Sequence, residues 1–173
     1  MKNSYRFFKK FLIILISLAF FLFSFTSLAH AEVNKASIIS LTNQKRAENG
    51  LAPLTINYSL ESSASTKAND MLANNYWSHN SPSGKTPWTF IRNAGYKYLF
   101  AGENLAEGYS SGEAIIAAWM ASPSHRANIL NRNYKEVGVA IISGNLKGKS
   151  TILVVEHFGS SSQTKTAKKI ARK

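Results

Sequence analysis

The spacing of apolar residues changes along the chain, and this change limits the possible folds more than any other feature. Two β-branched runs near the carboxyl terminus, EVGVAIIS from Glu136 and STILVVEHFG from Ser150, are separated by GNLKGK. They predict an antiparallel hairpin with a glycine-containing turn. Earlier segments repeat their apolar residues at helical spacing. Helices followed by strands indicate an α/β sandwich in which helices cover a short antiparallel sheet.

Four segments before the hairpin have the periodicity and the end signals of helices. We expect these helices over Val33–Asn49, from Asn57 or Ser59 to about Asn75, from Thr86 to Gly95, and from Ser110 or Ser111 to about Ala121. HRANIL, which follows Pro123, predicts one further helical turn. In the first helix, Ile38, Leu41 and Thr42 mark the buried stripe, and Arg46 is expected on the polar side.

The first 31 residues have the organisation of an export signal. MKNSYRFFKK carries four positive charges, and the apolar run Phe11–Leu28 follows, before the small residues of Ala29-His30-Ala31. Cleavage after Ala31 would release the remaining chain, whereas retention of the run would give a membrane anchor with the domain outside. We therefore divide the chain into a signal peptide or anchor (1–31), one domain (32–160) and a flexible basic tail (161–173).

Charge and cysteine content restrict the partners and the means of stabilisation. The formal net charge is +12, but four positive charges precede the apolar run and five lie after residue 164. The part between them is only weakly basic, so we expect no nucleic-acid partner. The tail is either solvated or in contact with anionic envelope polymers. Because an exported chain without cysteine has no disulfide framework, packing must stabilise the domain.

Five separated blocks of sequence occur in a characteristic order between about Ile38 and Gly159. They are LTNQKRAENGLAPL, YWSH, GENLAEGYSS, AAWMASPSHRANILNRNYKEVGVA and VVEHFG. Together they resemble the bacterial branch of the CAP superfamily, the SCP/PR-1-like fold of cysteine-rich secretory and pathogenesis-related proteins. The resemblance implies a three-layer α-β-α sandwich. It also implies a central cavity in which two histidines and two acidic residues can hold a divalent ion such as zinc.

Three positions of this cavity can be carried over to the chain. His79 in YWSH matches the first histidine, Glu103 in GENL matches the first acid, and His125 in SPSHRANIL matches the second histidine. The resemblance therefore implies ligand binding by these three residues, a metal held by His79 and His125, and candidate catalytic roles for all three.

The second acid of the family pattern is missing. It would stand three residues after Trp119, where this chain has Ser122. Glu136 in YKEVGV is the nearest substitute, and we include it among the ligand-binding residues. His157 is left out, because it adjoins Glu156 and neighbouring strand residues face opposite sides of a sheet.

Chemistry alone leaves several interpretations of these residues open. Imidazoles and carboxylates at separated points can form a zinc-type site or an acid–base pair, but no short spacing such as H-E-x-x-H brings them together. The histidines could equally be half-exposed loop and helix-cap residues. A serine nucleophile is a further interpretation, but none of Ser78, Ser81 and Ser124 stands in a G-x-S-x-G pattern.

Three functions remain as hypotheses from the sequence. The first is a secreted module that binds a small molecule, lipid or cell-wall component in its central cleft. The second is a hydrolase that uses His79, Glu103 and His125 around water or a metal. The third is a cell-envelope interaction protein recognised through its surface. In each case contact with a membrane is expected only through an uncleaved amino-terminal segment.

Overall fold

A computed structural model describes residues 33–162. The predicted export segment and most of the predicted tail lie outside these residues. The helices are α1 (Lys35–Glu48), α2 (Tyr58–Ala73), α3 (Pro87–Asn93), α4 (Gly112–Ala121) and α5 (Pro123–Ile129). The strands are β1 (Thr55–Ile56), β2 (Tyr98–Glu107), β3 (Glu136–Leu146) and β4 (Lys149–Ser161). None of the helices between residues 33 and 162 has both the length and the apolar composition needed to cross a bilayer.

Local signals set the helix ends close to the predicted positions. Asn57 caps α2 by accepting from the backbone N–H groups of Ser59 and Leu60, and Ser111 caps α4. Pro87 occupies the first position of α3, where its missing N–H removes no helical hydrogen bond. The end of α2 differs from the prediction, because the helix stops at Ala73 and Asn75 turns with a φ of 52°.

The sheet has the order β1-β3-β4-β2. The hairpin β3–β4 and the pair β2–β4 are antiparallel, whereas the two-residue β1 pairs parallel with β3. The hairpin strands are longer than predicted, because Lys147 and Gly148 alone connect them. Neither β1 nor β2 was predicted as a strand from the sequence.

Helices cover both faces of the sheet, as the predicted three-layer sandwich requires. On one face, Ser63 of α2 contacts His157 of β4; on the other, Thr42 of α1 contacts Glu156 of the same strand. At Gly138 an added Cβ would lie 2.1 Å from the backbone nitrogen of Glu61. Only glycine there lets α2 pack directly on β3.

Side chains close the outer edge of β2 and join it to the α4–α5 layer. Three of them donate to alternate carbonyls of the strand: Trp119 Nε1 to Leu105 O at 2.9 Å, Asn128 Nδ2 to Glu103 O at 3.0 Å, and Tyr134 Oη to Ala101 O at 2.9 Å. Gly102 makes room for this contact, because a Cβ there would meet Tyr134 Oη at 2.4 Å. These bonds fix α5 relative to the strand that carries Glu103.

Arg46 corrects the prediction for α1. It was expected on the polar side, but it is buried, with 1% of its surface exposed. Its guanidinium donates to the carbonyls of Ala52, Ile129 and Asn131 at 3.0, 2.8 and 3.0 Å. A guanidinium has five N–H donors, so it can satisfy the carbonyls that end α5 inside the core.

Glu156 places a carboxyl group in the core beneath α1. The residue is fully buried; Thr42 Oγ1 donates to its Oε1 at 2.8 Å, and within residues 33–162 its Oε2 has no hydrogen-bond partner. Burial raises the pKa of Glu156 to about 8, against the opposing effects of Thr42, Asn104 and the charge of Arg46. The carboxyl is therefore largely protonated at neutral pH.

The raised pKa predicts how stability depends on pH. The unfolded chain releases this proton near the ordinary glutamate pKa of about 4.3, whereas the folded protein keeps it up to about pH 8. Between these values the folded state binds more protons, so this residue lowers stability as pH rises, by at most about 1.4 kcal/mol per pH unit.

Glu156→Gln should remove this dependence, because glutamine resembles the protonated acid. Urea unfolding from pH 5 to 9 should show the free energy of unfolding of the variant improving relative to wild type up to about pH 8 and then levelling off. Glu113→Gln, on the exposed side of α4, is the control. A constant difference between Glu156→Gln and wild type would contradict the prediction.

Candidate functional site

The carboxylate of Glu103 lies at the centre of the candidate site. Glu103 comes from β2 on the face covered by α2, and its side chain is 2% exposed. His79 Nδ1 lies 2.6 Å from its Oε1, and His157 Nε2 lies 2.9 Å from its Oε2. Two imidazoles therefore bind one buried carboxyl group.

The partners of Glu103 decide its charge and the protonation of the rings. Burial opposes ionisation, but hydrogen bonds from His157 and His79, followed by the positive charges of His157 and Lys67, outweigh it and lower the pKa of Glu103. An ionised carboxylate only accepts hydrogen bonds, so both imidazoles must donate to it. In the neutral ring of His79, whose side chain is 53% exposed, Nε2 then carries the free electron pair.

His157 was left out of the predicted site, and the structure brings it there. Glu103 and His157 are cross-strand partners in β2 and β4. Glu156 does face the opposite side, as strand alternation requires, and it is His157 that β4 turns toward Glu103. Ser63 Oγ lies 2.6 Å from His157 Nδ1 behind the site.

Polar residues inside the apolar stripe of α2 were a usable signal that the sequence analysis missed. Ser63 and Lys67 follow Leu60 at helical spacing, and both are fully buried. A serine and a lysine on the core face of a helix indicate polar partners inside the fold.

His125 lies beside this cluster on α5. It is half-buried, and its Nδ1 lies 2.9 Å from Ser122 Oγ. Burial lowers the pKa of His125, and the positive charge that His79 carries when it is protonated lowers it further. Asn104 Nδ2 donates to the carbonyl of His125 at 3.3 Å. The backbone of His125 thus contacts Asn104, the neighbour of Glu103 in β2, while its ring contacts Ser122.

Glu136, the remaining predicted residue, and Ser122, which replaces the missing acid, have different surroundings. Ser122, which stands where the family pattern has its second acid, is the hydroxyl partner of His125. Glu136 accepts from Asn57 Nδ2 at 2.8 Å and from Tyr96 Oη at 2.5 Å, and it lines a separate polar pocket of about 320 Å³. Its contacts do not join it to Glu103, so its inclusion in the cleft stays a prediction from sequence.

The side chains do not fit the predicted zinc site. Both oxygens of Glu103 are bound by imidazoles, and the charge of Lys67 is close to them. Within residues 33–162, no three histidine, aspartate or glutamate side chains are arranged to hold a metal ion. Zinc bound by His79 and His125 stays a prediction from the sequence.

A family comparison assigns the chain. The sequence model described as CAP, the cysteine-rich secretory protein family, matches residues 39–158. The chain belongs to the CAP family. This match confirms the resemblance that the five sequence blocks carried.

Individual relatives agree with the family assignment. YkwD of Bacillus subtilis, described as uncharacterized, is 41% identical over 110 residues, which cover 63% of this chain and 43% of YkwD. This CAP chain therefore spans less than half of that relative's length.

Solved structures of two further proteins match the fold. An extracellular protein containing an SCP domain from Bacillus anthracis is 29% identical with a TM-score of 0.63, over 73% of this chain and 40% of that one. An outer surface protein from Borrelia burgdorferi is 23% identical with a TM-score of 0.64, over 76% of this chain and 98% of that one. The second likeness supports the fold alone.

Stability measurements can test the unequal roles of the two imidazoles. His157→Leu leaves a buried carboxylate without its inner partner, which costs about 3–5 kcal/mol when the charge stays uncompensated. His79→Leu opens the outer oxygen to water, so its cost should stay below about 1 kcal/mol. Urea unfolding at pH 7 measures both. Equal losses would mean that water reaches Glu103 from both sides.

Proposed function

We propose that this chain is an exported CAP-domain module that binds a small polar ligand, or the polar part of a lipid or cell-wall component, beside His79 and His125. The supporting observation is the contact between the exposed ring of His79 and the buried, ionised Glu103. The carboxylate holds Nδ1–H, and Nε2 can then accept a hydrogen bond from a ligand hydroxyl or amide.

The surroundings of the cleft favour a polar ligand. Glu103 supplies negative charge, Lys67 supplies positive charge behind it, and His125 adds a second imidazole. Few and precisely placed polar groups of this kind fix the orientation of a bound molecule. An extracellular ligand agrees with the export pattern of residues 1–31 and with the extracellular relative from Bacillus anthracis.

Hydrolysis is a second candidate, and the same contact favours it. A buried carboxylate that holds the Nδ1–H of an imidazole prepares Nε2 to take a proton from water, because the carboxylate stabilises the resulting imidazolium. In this case His79 is the general base and Glu103 orients it. Binding and hydrolysis share the residues and differ in turnover.

Ligand capture from soluble cell-wall fragments and from phospholipid vesicles tests the proposal. We expect the full chain to bind one of these, and the double variant His79→Ala/His125→Ala to bind it about 10- to 100-fold more weakly, which is the loss of one or two hydrogen bonds. The control Ser143→Ala/Asn145→Ala, on exposed positions of β3, should bind as wild type does.

Turnover decides between the two candidates. Ligand binding without product supports the module, and peptide or ester cleavage that the histidine variant loses supports the hydrolase. Equal binding by wild type and the histidine variant would contradict the module, and equal cleavage by both would contradict the hydrolase.

The basic tail is proposed to hold the protein at anionic envelope polymers. Because β4 continues to Ser161, the deletion that tests this should begin at residue 163. We expect removal of residues 163–173 to release the protein from isolated cell walls at low salt, where screening is weak. Unchanged retention would rule out this role.

A further inference from the structure

Lys67 places an ammonium group inside the domain. The residue lies on the core face of α2 and is fully buried. Its Nζ donates to Tyr76 Oη at 3.0 Å and to the carbonyl of Ser78 at 2.7 Å, and it lies 4.6 Å from the ring centroid of Tyr76 and 5.5 Å from that of Phe90. A lysine is almost never fully buried unless such partners compensate the lost hydration.

Two of these partners, Tyr76 and Ser78, belong to the segment that carries His79. This segment, between the end of α2 and the start of α3, contains no helix or strand. Backbone hydrogen bonds from Tyr76 N to Met71 O and from Ser81 N to Lys85 O fix its ends, and side-chain contacts hold the part between them. Lys67 holds Tyr76 by its hydroxyl and Ser78 by its carbonyl, one residue before His79. Tyr76 Oη in turn donates to Asp70 Oδ2 at 2.7 Å, which fixes the same segment to α2 a second time.

The charge of Lys67 also acts on the carboxylate that binds His79. Glu103 and Asp70 are the two acids whose charges favour the ammonium form against its burial. The same attraction favours the ionised form of Glu103. Lys67 therefore acts on both partners of the contact. It hydrogen-bonds the segment that carries His79, and its charge stabilises the carboxylate to which His79 donates.

We propose that Lys67 is the positioning residue that sets His79 against Glu103 and so fixes its Nδ1–H form. The inference rests on the proposed function, because it assigns how the cleft presents Nε2 to a ligand. A histidine free in water favours the Nε2–H form, so the opposite form at His79 would be imposed by its surroundings.

The ring nitrogens of His79 report this directly and need no ligand. In imidazole nitrogen NMR spectra of the full chain at pH 8, the wild type should show His79 with Nδ1 in the protonated range of shifts. Lys67→Met, of similar length and without charge, should move Nδ1 of His79 toward the unprotonated range. Lys67→Arg, which keeps a cation and donors, should restore part of the wild-type signal.

Lys85→Met is the matched control. Lys85 also contacts Asp70, at 3.3 Å, and lies 5.9 Å from the centroid of Phe90, but its side chain is 48% exposed. Its loss should leave His79 unchanged. The signals of buried His157 report in every variant whether the fold and the inner contact to Glu103 persist.

Two results would overturn the proposal. One is a wild-type His79 in the Nε2–H form, which requires no variant to observe. The other is an unchanged His79 in Lys67→Met while His157 keeps its signals, which would reduce Lys67 to a packing role. If no ligand is found but the tautomer depends on Lys67, the proposed function fails and the positioning role stands.

Discussion

The burial of one carboxylate, that of Glu103, is the constraint on which the cleft depends. An ionised acid in the interior needs partners that donate to it, and elements from separate parts of the chain supply them. The β2–β4 register brings His157 across from it, α2 places Ser63 behind that ring, and the segment after α2 brings His79 to the outer oxygen. The positions of three elements are thus tied to one negative charge.

The two buried carboxyl groups of the sheet show how surroundings decide ionisation. Glu103 and Glu156 both lose water on folding, yet the pKa of the first is lowered and that of the second is raised. Two imidazoles bind Glu103, whereas Glu156 receives one hydroxyl from Thr42 in the core. The two neighbouring residues of β4 therefore differ: Glu156 is a neutral acid on one face of the sheet, and His157 binds an ionised acid on the other face.

Features with local signals could be predicted from the sequence. Caps, proline at the first helical position and the β-branched hairpin depend on a few neighbouring residues, and the structure has them close to the expected places. The fold class and the family were also predicted correctly, because ordered blocks of sequence carry that information. Most of the second strand, β2, has no such signal: after Tyr98–Phe100, AGENLAE is rich in residues that seldom form strands, and long-range bonds from Trp119, Asn128 and Tyr134 hold it in place.

The candidate site was predicted in part for the same reason. His79, Glu103 and His125 were grouped through the family pattern; the structure joins His79 to Glu103 by a hydrogen bond, and the charge of His79 acts on His125. Choosing between Glu156 and His157 required the register of β4, which sequence does not give. Glu136 was chosen for its closeness along the chain, but β3 carries it toward Tyr96 and Asn57.

The covered edge of β2 affects how copies of the domain can associate. Outer strands usually offer rows of free backbone acceptors, which lets a second polypeptide add itself as another strand and start aggregation. Here the carbonyls of Ala101, Glu103 and Leu105 are already occupied. Because the chain has no cysteine, disulfides cannot protect the domain against such strand addition, and side-chain hydrogen bonds block this edge instead.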